Sequence, residues 1–284
     1  MFVSDNRVAS AKQYFFDQLA DTFSTSECKS MWSAVLSAYF GWTPSDILLN
    51  TNERFSESDL LRIRGVVKRL QNQEPFQYIM GEVYFAGLKL TTDQRALIPR
   101  PETEELVDLI VQLNATFSSI LDLCTGSGCI ALALQNKFPN AKVRGLDLSA
   151  DAIALAQENA LQTKLEVEFE VADVLHWKPS TVFDLIVSNP PYIPNQEKEQ
   201  MQANVLDFEP HLALFVPDTD PLLFYKHIIQ VAQNSLAFDG FLALEIHENF
   251  ALETQALFEG RQFKNVQIHL DLQGKQRMIL AQKA

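Results

Sequence analysis

The chain is poor in the residues that most often announce a chemistry. Its 284 residues include only three cysteines, Cys28, Cys124 and Cys129. Their odd number and spacing exclude a disulfide framework and give no metal-ligand pattern, so a reduced, cytoplasmic setting is expected, with the cysteines as small packing residues. His176, His211, His227, His247 and His269 are scattered, with no His-Glu-x-x-His run to argue for a zinc hydrolase. Even His247, in Glu245-Ile246-His247-Glu248, reads as a strand-end packing residue and not as a base.

Positive charge is scarce as well. There are 23 Lys and Arg against 36 Asp and Glu, a formal charge of −13. Residues 1–90 are nearly balanced, with 9 basic against 10 acidic side chains, so almost all of the excess acid falls in residues 91–284. A protein that grips a nucleic-acid backbone needs a basic track, and direct nucleic-acid binding is therefore not expected. The cluster Arg54, Arg62, Arg64, Lys68 and Arg69 reads first as a solvated helix face. Apolar runs of spanning length, a signal-peptide core, internal repeats and low-complexity tracts are also missing, which predicts a soluble chain with no membrane association.

What is present is concentrated in a few short motifs. The apolar run Phe183-Asp184-Leu185-Ile186-Val187-Ser188 has strand length and ends directly in Asn189-Pro190-Pro191-Tyr192. This places a side-chain amide, two backbone carbonyls without competing proline N–H donors, and an aromatic ring at one strand's carboxyl end. Such a site suits a planar NH2 group. The nitrogen of an amide or exocyclic amine is a poor nucleophile because its lone pair is delocalised. If the Asn189 oxygen and the Pro190 carbonyl accept its two in-plane hydrogens, the out-of-plane face is aimed at an electrophile. Tyr192 offers a π face for a flat group or for a sulfonium charge.

Upstream, Ile120-Leu121-Asp122-Leu123-Cys124-Thr125-Gly126-Ser127-Gly128 reads as a buried strand turning through glycines into a helix from Cys129 to Lys137. The third glycine of a dinucleotide fingerprint is absent, which weakens a pyrophosphate reading. A second strand, Lys142 to Leu148, carries Asp147 near the spacing at which such folds bind ribose hydroxyls. A third, Leu165 to Val171, leads into Ala172-Asp173-Val174, where Asp173 is suited to accept from an adenine amino group. Each acid alone reads as a loop residue; three loops, the glycine loop and the two that carry these acids, at the ends of three successive strands point to one ligand site at the carboxyl edge of a sheet.

The first 80 or so residues carry helical stripes, Met31, Trp32, Val35, Leu36, Tyr39 and Phe40, then Leu60 to Leu70 behind a capping-box-like Ser56-Glu57-Ser58-Asp59. After Pro75 come Val83-Tyr84-Phe85 and Leu88-Lys89-Leu90 about Ala86-Gly87, which read as a hairpin. Residues 195–221 read as a polar loop over the active site. A helix from Leu222 to Leu236 is expected to lead through Asp239-Gly240 into a strand Phe241 to Ile246. A helix from Ala251 to Phe258 and strands Val266 to Leu270 and Gln276 to Ala281 complete an alternating α/β pattern.

The glycine loop, Asp147, Asp173 and Asn189-Pro190-Pro191-Tyr192, in that order, resemble the class I S-adenosylmethionine-dependent methyltransferases that act on planar NH2 groups. Leu97-Ile98-Pro99-Arg100-Pro101-Glu102-Thr103-Glu104-Glu105, with Phe208-Glu209-Pro210 and Ala213-Leu214, narrows the resemblance to the HemK/PrmC family. The resemblance implies an α/β fold with a Rossmann-like seven-stranded sheet ending in an antiparallel pair. It also implies a helical partner-binding domain over 1–80, a linking hairpin over 81–98 and a catalytic domain over 99–284. The implied reaction is methylation of the glutamine side-chain amide in the Gly-Gly-Gln motif of class 1 peptide-chain release factors, with S-adenosyl-L-methionine as methyl donor and no metal. In this family the position of Cys124 is often glycine. By the same resemblance, Asn189 and the Pro190 carbonyl clamp the amide, with Pro191 and Tyr192 lining its pocket. Cys124, Thr125, Gly126, Ser127 and Gly128 cradle the methionine end of the donor, Asp147 takes the ribose, Asp173 and Val174 the adenine, and Arg100 and Thr103 border the donor. Three other readings stay open at this level: a glutamine methyltransferase acting on a ribosomal protein, a nucleic-acid adenine methyltransferase, and a silent donor-binding adaptor.

Overall fold

The computed structural model describes residues 3–284. Helices α1 (Val8–Leu19), α2 (Thr25–Phe40), α3 (Pro44–Leu49), α4 (Glu57–Gln71) and α5 (Phe76–Met80) open the chain, three of them behind capping boxes. Ser24, Thr43 and Ser56 accept from the backbone N–H three residues on, and Glu27, Asp46 and Asp59 return the bond, satisfying N–H groups that the first helical turn leaves open. A hairpin follows, β1 (Glu82–Phe85) and β2 (Leu88–Thr91), turned by Ala86 and Gly87 at φ +48° and +80°, the two positive angles of the hairpin turn that matches strand twist.

The remaining elements alternate. They are α6 (Pro101–Gln112), β3 (Ser119–Leu123), α7 (Cys129–Lys137), β4 (Lys142–Asp147), α8 (Ala150–Thr163), β5 (Val167–Val171), β6 (Phe183–Ser188), β7 (Ile193–Pro194), α9 (Ala203–Phe208), β8 (Phe215–Val216), α10 (Leu223–Ser235), β9 (Leu236–Glu245), α11 (Ala251–Ala256), β10 (Phe263–Leu270) and β11 (Gln276–Lys283). Two compact units result. One comprises residues up to Gly81 together with α9; the other comprises 82–202 and 209–284. The first is built round Phe15, Trp32, Leu36, Ile63 and Leu70, all buried, with the Phe15 and Trp32 rings 5.5 Å apart.

In the second unit, seven strands form one sheet in the order β10-β11-β9-β6-β3-β4-β5. The five strands from β9 to β5 run parallel, and β11 runs antiparallel to both of its neighbours, β9 and β10, giving the expected antiparallel finish. Side-chain alternation divides two cores. Ile120, Leu185, Val187 and Ala243 face α6 and α7 on one side, while Leu121, Leu123, Ile186, Leu242 and Leu244 face α10 on the other. The loop after β3 and the loop after β6 leave the sheet at the point where strand order runs outward in opposite directions, the place where open α/β sheets hold ligands.

Two expectations differ from the structure. β9 begins at Leu236, not after Asp239-Gly240. Those residues form a bulge inside the strand, between the pairings Leu236 with Phe183 and Phe241 with Leu185. Gly240 is needed there because a Cβ would stand 3.0 Å from both the Asp184 and Ala237 carbonyl oxygens. Residues 195–221 are not one loop either: they hold 3-10 turns at Asn195–Gln200 and His211–Ala213, strand β8, and α9, which packs with the first unit.

Candidate active site

A cavity of about 280 Å³ opens at the carboxyl edge of the sheet. Arg100, Thr103, Cys124, Thr125, Gly126, Ser127, Asp147, Asp173, Val174, Asn189 and Pro191 line it, so residues far apart in sequence converge. Gly128, Pro190 and Tyr192 are not among its lining residues.

The loop after β3 is shaped by three left-handed residues in five, Cys124 at φ +61°, Gly126 at +55° and Gly128 at +79°. Cysteine adopts this conformation at a cost of about 1–2 kcal/mol, which glycine would not incur. Gly128 caps α7, and a Cβ there would lie 2.9 Å from the Phe169 ring and 3.0 Å from Ala156. The loop is tied down from several directions. Thr125 N–H donates to the Leu146 carbonyl at 2.8 Å, and Thr125 Oγ1 donates to Asp122 Oδ2 at 2.5 Å. Asn159, wholly buried on α8, donates to the Ser127 carbonyl at 3.0 Å and exchanges two hydrogen bonds with the Thr91 backbone.

Three carboxylates occupy successive strand ends. Asp122, fully buried, accepts from Thr125 and Ala131 through Oδ2, while its Oδ1 has no hydrogen-bond partner. Burial pushes its carboxyl up to about 7. Asp147 accepts from Gly126 N–H at 2.8 Å and from Ser149 N–H at 2.9 Å, so it bridges the glycine loop to the start of α8. Burial raises its pKa, and those backbone bonds pull the other way. Asp173 faces more water. Its bond to His176 Nδ1 at 2.7 Å, then that from Leu175 N–H, hold its carboxyl below the usual range.

Asn189 follows β6 and is half-buried. Its Nδ2 donates to Thr103 Oγ1 at 3.1 Å, and Thr103 Oγ1 donates to Glu245 Oε2 at 2.6 Å. A threonine hydroxyl has one hydrogen. With that hydrogen committed to a carboxylate, Thr103 receives from Asn189, which turns the amide oxygen of Asn189 away from Thr103. Tyr192, the last residue of the motif, is held from β9. Its hydroxyl donates to Glu245 Oε1 at 3.1 Å, and its ring meets His247 edge-on at 5.9 Å.

Sequence reasoning passed over two acids. Glu245 closes β9 at the end of an otherwise apolar run, its one sequence signal. Glu209, 4 % exposed, accepts from Arg100 at 2.5 Å and from Ile98 N–H at 3.1 Å, joining two segments of the cavity wall. His247 is buried; its Nδ1 accepts from Asn249 N–H and its Nε2 lies 3.1 Å from Glu197 Oε2, so both ring nitrogens have polar partners.

The residues present fit S-adenosylmethionine. Asp147 and Asp173 offer acceptors at neighbouring strand ends, Ile130, Leu146, Ala152 and Phe224 supply apolar wall, Arg100 supplies a cation, and the left-handed loop brings backbone close. Among the described residues no group of three His, Cys, Asp or Glu side chains is placed to hold a metal, and no helix is long and apolar enough to cross a membrane.

Residues 104–208 match the Methyltransferase small domain family and residues 13–81 the PrmC N-terminal domain family. A release factor glutamine methyltransferase of Flavobacterium psychrophilum is 41% identical over 93% of this chain and 95% of its own. One from Bacteroides thetaiotaomicron is 38% identical over 95% of this chain and 98% of its own. The hMettl16 catalytic domain, solved with a 3′UTR hairpin, aligns at a TM-score of 0.53 and 14% identity over 81% of this chain and 82% of that one. That likeness concerns the fold alone, which is the class I methyltransferase fold.

Proposed function

The chain belongs to the release factor glutamine methyltransferase family, and on that premise we propose that it methylates the side-chain amide nitrogen of the Gly-Gly-Gln glutamine in class 1 peptide-chain release factors. The observation that carries this reading is the committed Nδ2 of Asn189, which leaves Oδ1 as the free acceptor of that amide.

S-adenosylmethionine, bound in the cavity, supplies an electrophilic methyl group. Asn189 Oδ1 and the Pro190 carbonyl accept the two N–H bonds of the substrate amide and hold its plane, so that its nitrogen presents a face and not an edge to the electrophile. Orientation of this kind is worth roughly 7–11 kcal/mol when the geometry is near-attack. The same acceptors favour the positive charge that develops on nitrogen as the bond forms. No strong base is needed, because the N–H becomes acidic only as nitrogen commits its lone pair.

Asp147 holds the ribose hydroxyls, Asp173 and Val174 the adenine, and the segment 124–128 the methionine end. Arg100 and Thr103 border the donor, and Pro191 closes the floor beside Asn189. Tyr192 acts from behind the cavity by steadying the motif. The helical unit engages the release factor, the protein works in the cytoplasm, and it makes no direct contact with nucleic acid; the deficit of basic side chains supports the last point.

The test is transfer of labelled methyl from S-adenosylmethionine to a purified class 1 release factor, beside the same factor with its Gly-Gly-Gln glutamine changed to alanine. Label on the first and none on the second is expected. Label on neither, with donor binding intact, would overturn the substrate assignment.

A further inference from the structure

Glu245 is 1 % exposed, lies at the end of β9 and is not among the residues that line the cavity. A buried carboxylate is costly, and an apolar side chain of similar size would serve packing better. Both of its oxygens are nevertheless used, one by Thr103 of the cavity wall and one by Tyr192 of the Asn-Pro-Pro-Tyr motif. Oε2 takes the hydroxyl hydrogen of Thr103, which is itself 2 % exposed, and Oε1 takes that of Tyr192. Against burial, the hydroxyl bonds from Thr103 and Tyr192 and the nearby charge of Arg277 favour the ionised form; ionised, Glu245 can only accept, and the direction of every bond in the chain Glu245, Thr103, Asn189 follows from it. An isolated threonine hydroxyl would allow the reverse polarity, donating to Asn189 Oδ1 and turning the Asn189 NH2 group outward. An outward NH2 would face the substrate NH2 with donors only.

We infer that Glu245 is a positioning residue that fixes the Asn189 amide with its oxygen toward the substrate, acting through Thr103, while its second oxygen anchors Tyr192. The inference rests on the assignment of Asn189 as the amide clamp. It adds that the clamp's orientation is imposed from outside the Asn-Pro-Pro-Tyr motif, by a residue 56 positions further along the chain.

The test pairs kinetics with a measurement made without donor or substrate. Glu245→Leu and Thr103→Val each lower kcat by about 10²-fold, and in Glu245→Leu, whose side chain does not line the cavity, the KM for S-adenosylmethionine stays within about twofold of wild type. Glu245→Gln keeps an oxygen for Thr103 and turns its NH2 to the Tyr192 hydroxyl, so it recovers most of the rate, as does Thr103→Ser. The double variant Glu245→Leu/Thr103→Val is no slower than the slower single variant, since both cut one chain. In asparagine-labelled protein alone, the Asn189 Nδ2 protons exchange slowly in wild type and Glu245→Gln and quickly in Glu245→Leu.

Multiplicative losses in the double variant, or unchanged Asn189 exchange in Glu245→Leu with a folded thermal melt, would overturn the inference. If Glu245→Leu fails to fold, Glu245→Gln and Thr103→Val decide: loss in the first together with full activity in the second also overturns it. A wild-type protein that does not label the release factor, yet shows the exchange pattern, marks failure of the substrate assignment and leaves the orienting chain standing.

Discussion

The Arg100 guanidinium lies 2.5 Å from the Glu209 carboxylate, and Glu209 also accepts from Ile98 N–H, so one buried acid holds the segment before α6 against the segment after α9. Both segments contribute cavity wall, through Ile98 and Pro99 on one side and Pro210 and Leu212 on the other. Glu209→Ala leaves a buried N–H and a partly exposed cation without their acceptor, a loss of roughly 1–3 kcal/mol. Donor affinity falls with it, since the wall is no longer pinned. Isothermal calorimetry and a urea titration check both, and Glu209→Gln retains the bond to Ile98 and part of the affinity.

Asn189→Ala removes the amide acceptor while leaving the glycine loop untouched. Turnover is expected to fall by about 10²–10³-fold, the range seen when one oriented group at a reacting centre is removed, with little change in donor affinity. Methyl transfer at near wild-type rate would dispose of the clamp.

Gly145 lies on β4 beneath the loop. A Cβ there would stand 2.7 Å from the Phe169 ring and 2.8 Å from Thr125 Oγ1. Gly145→Ala therefore overpacks, at a cost of about 1–3 kcal/mol, and it displaces Thr125 toward the cavity. Thermal melting and donor binding should fall together, and Phe169→Leu in the same chain should restore part of the stability.

Asp122 titrates between folded and unfolded chains. Burial raises its folded pKa from 3.8 to about 7. Below about pH 4 both states hold the proton. From there to about pH 7 the unfolded chain releases it while the native protein keeps it, so the proton-linked stability, fully present in acid, is lost as pH rises through 7. Asp122→Asn has no such proton. The stability of wild type relative to Asp122→Asn should therefore decline from pH 4 to pH 8, as read from denaturation midpoints; Asp147 and Glu245, raised by burial in both proteins, largely cancel. A flat difference would show that Asp122 stays ionised throughout.

Much of this was legible because its causes are local. Helix α7 starts at Cys129 directly behind Gly126 and Gly128, and α4 starts behind Ser56 because the capping residues are adjacent in sequence. The strand end carrying Asn189 follows from the short apolar run before it. Glu245 and Glu209 escaped because their partners Thr103 and Arg100 lie 142 and 109 positions away, and no spacing rule spans such distances. Asp239-Gly240 misled for a related reason. The pair is a turn signal on its own, and only the neighbouring carbonyl of Asp184 decides that it becomes a bulge. Tyr192 was placed by the buried carboxylate that draws its hydroxyl back, a pull exerted from another strand.

Cys124 brings a thiol to the wall of the cavity proposed for the sulfonium donor. A thiolate there would be the strongest nucleophile within reach and would consume the methyl group itself. Burial, reinforced by Asp147 and Asp122, drives the thiol's pKa far above its ordinary value. Burial and the two acids thus act in one direction on Cys124, toward the protonated thiol.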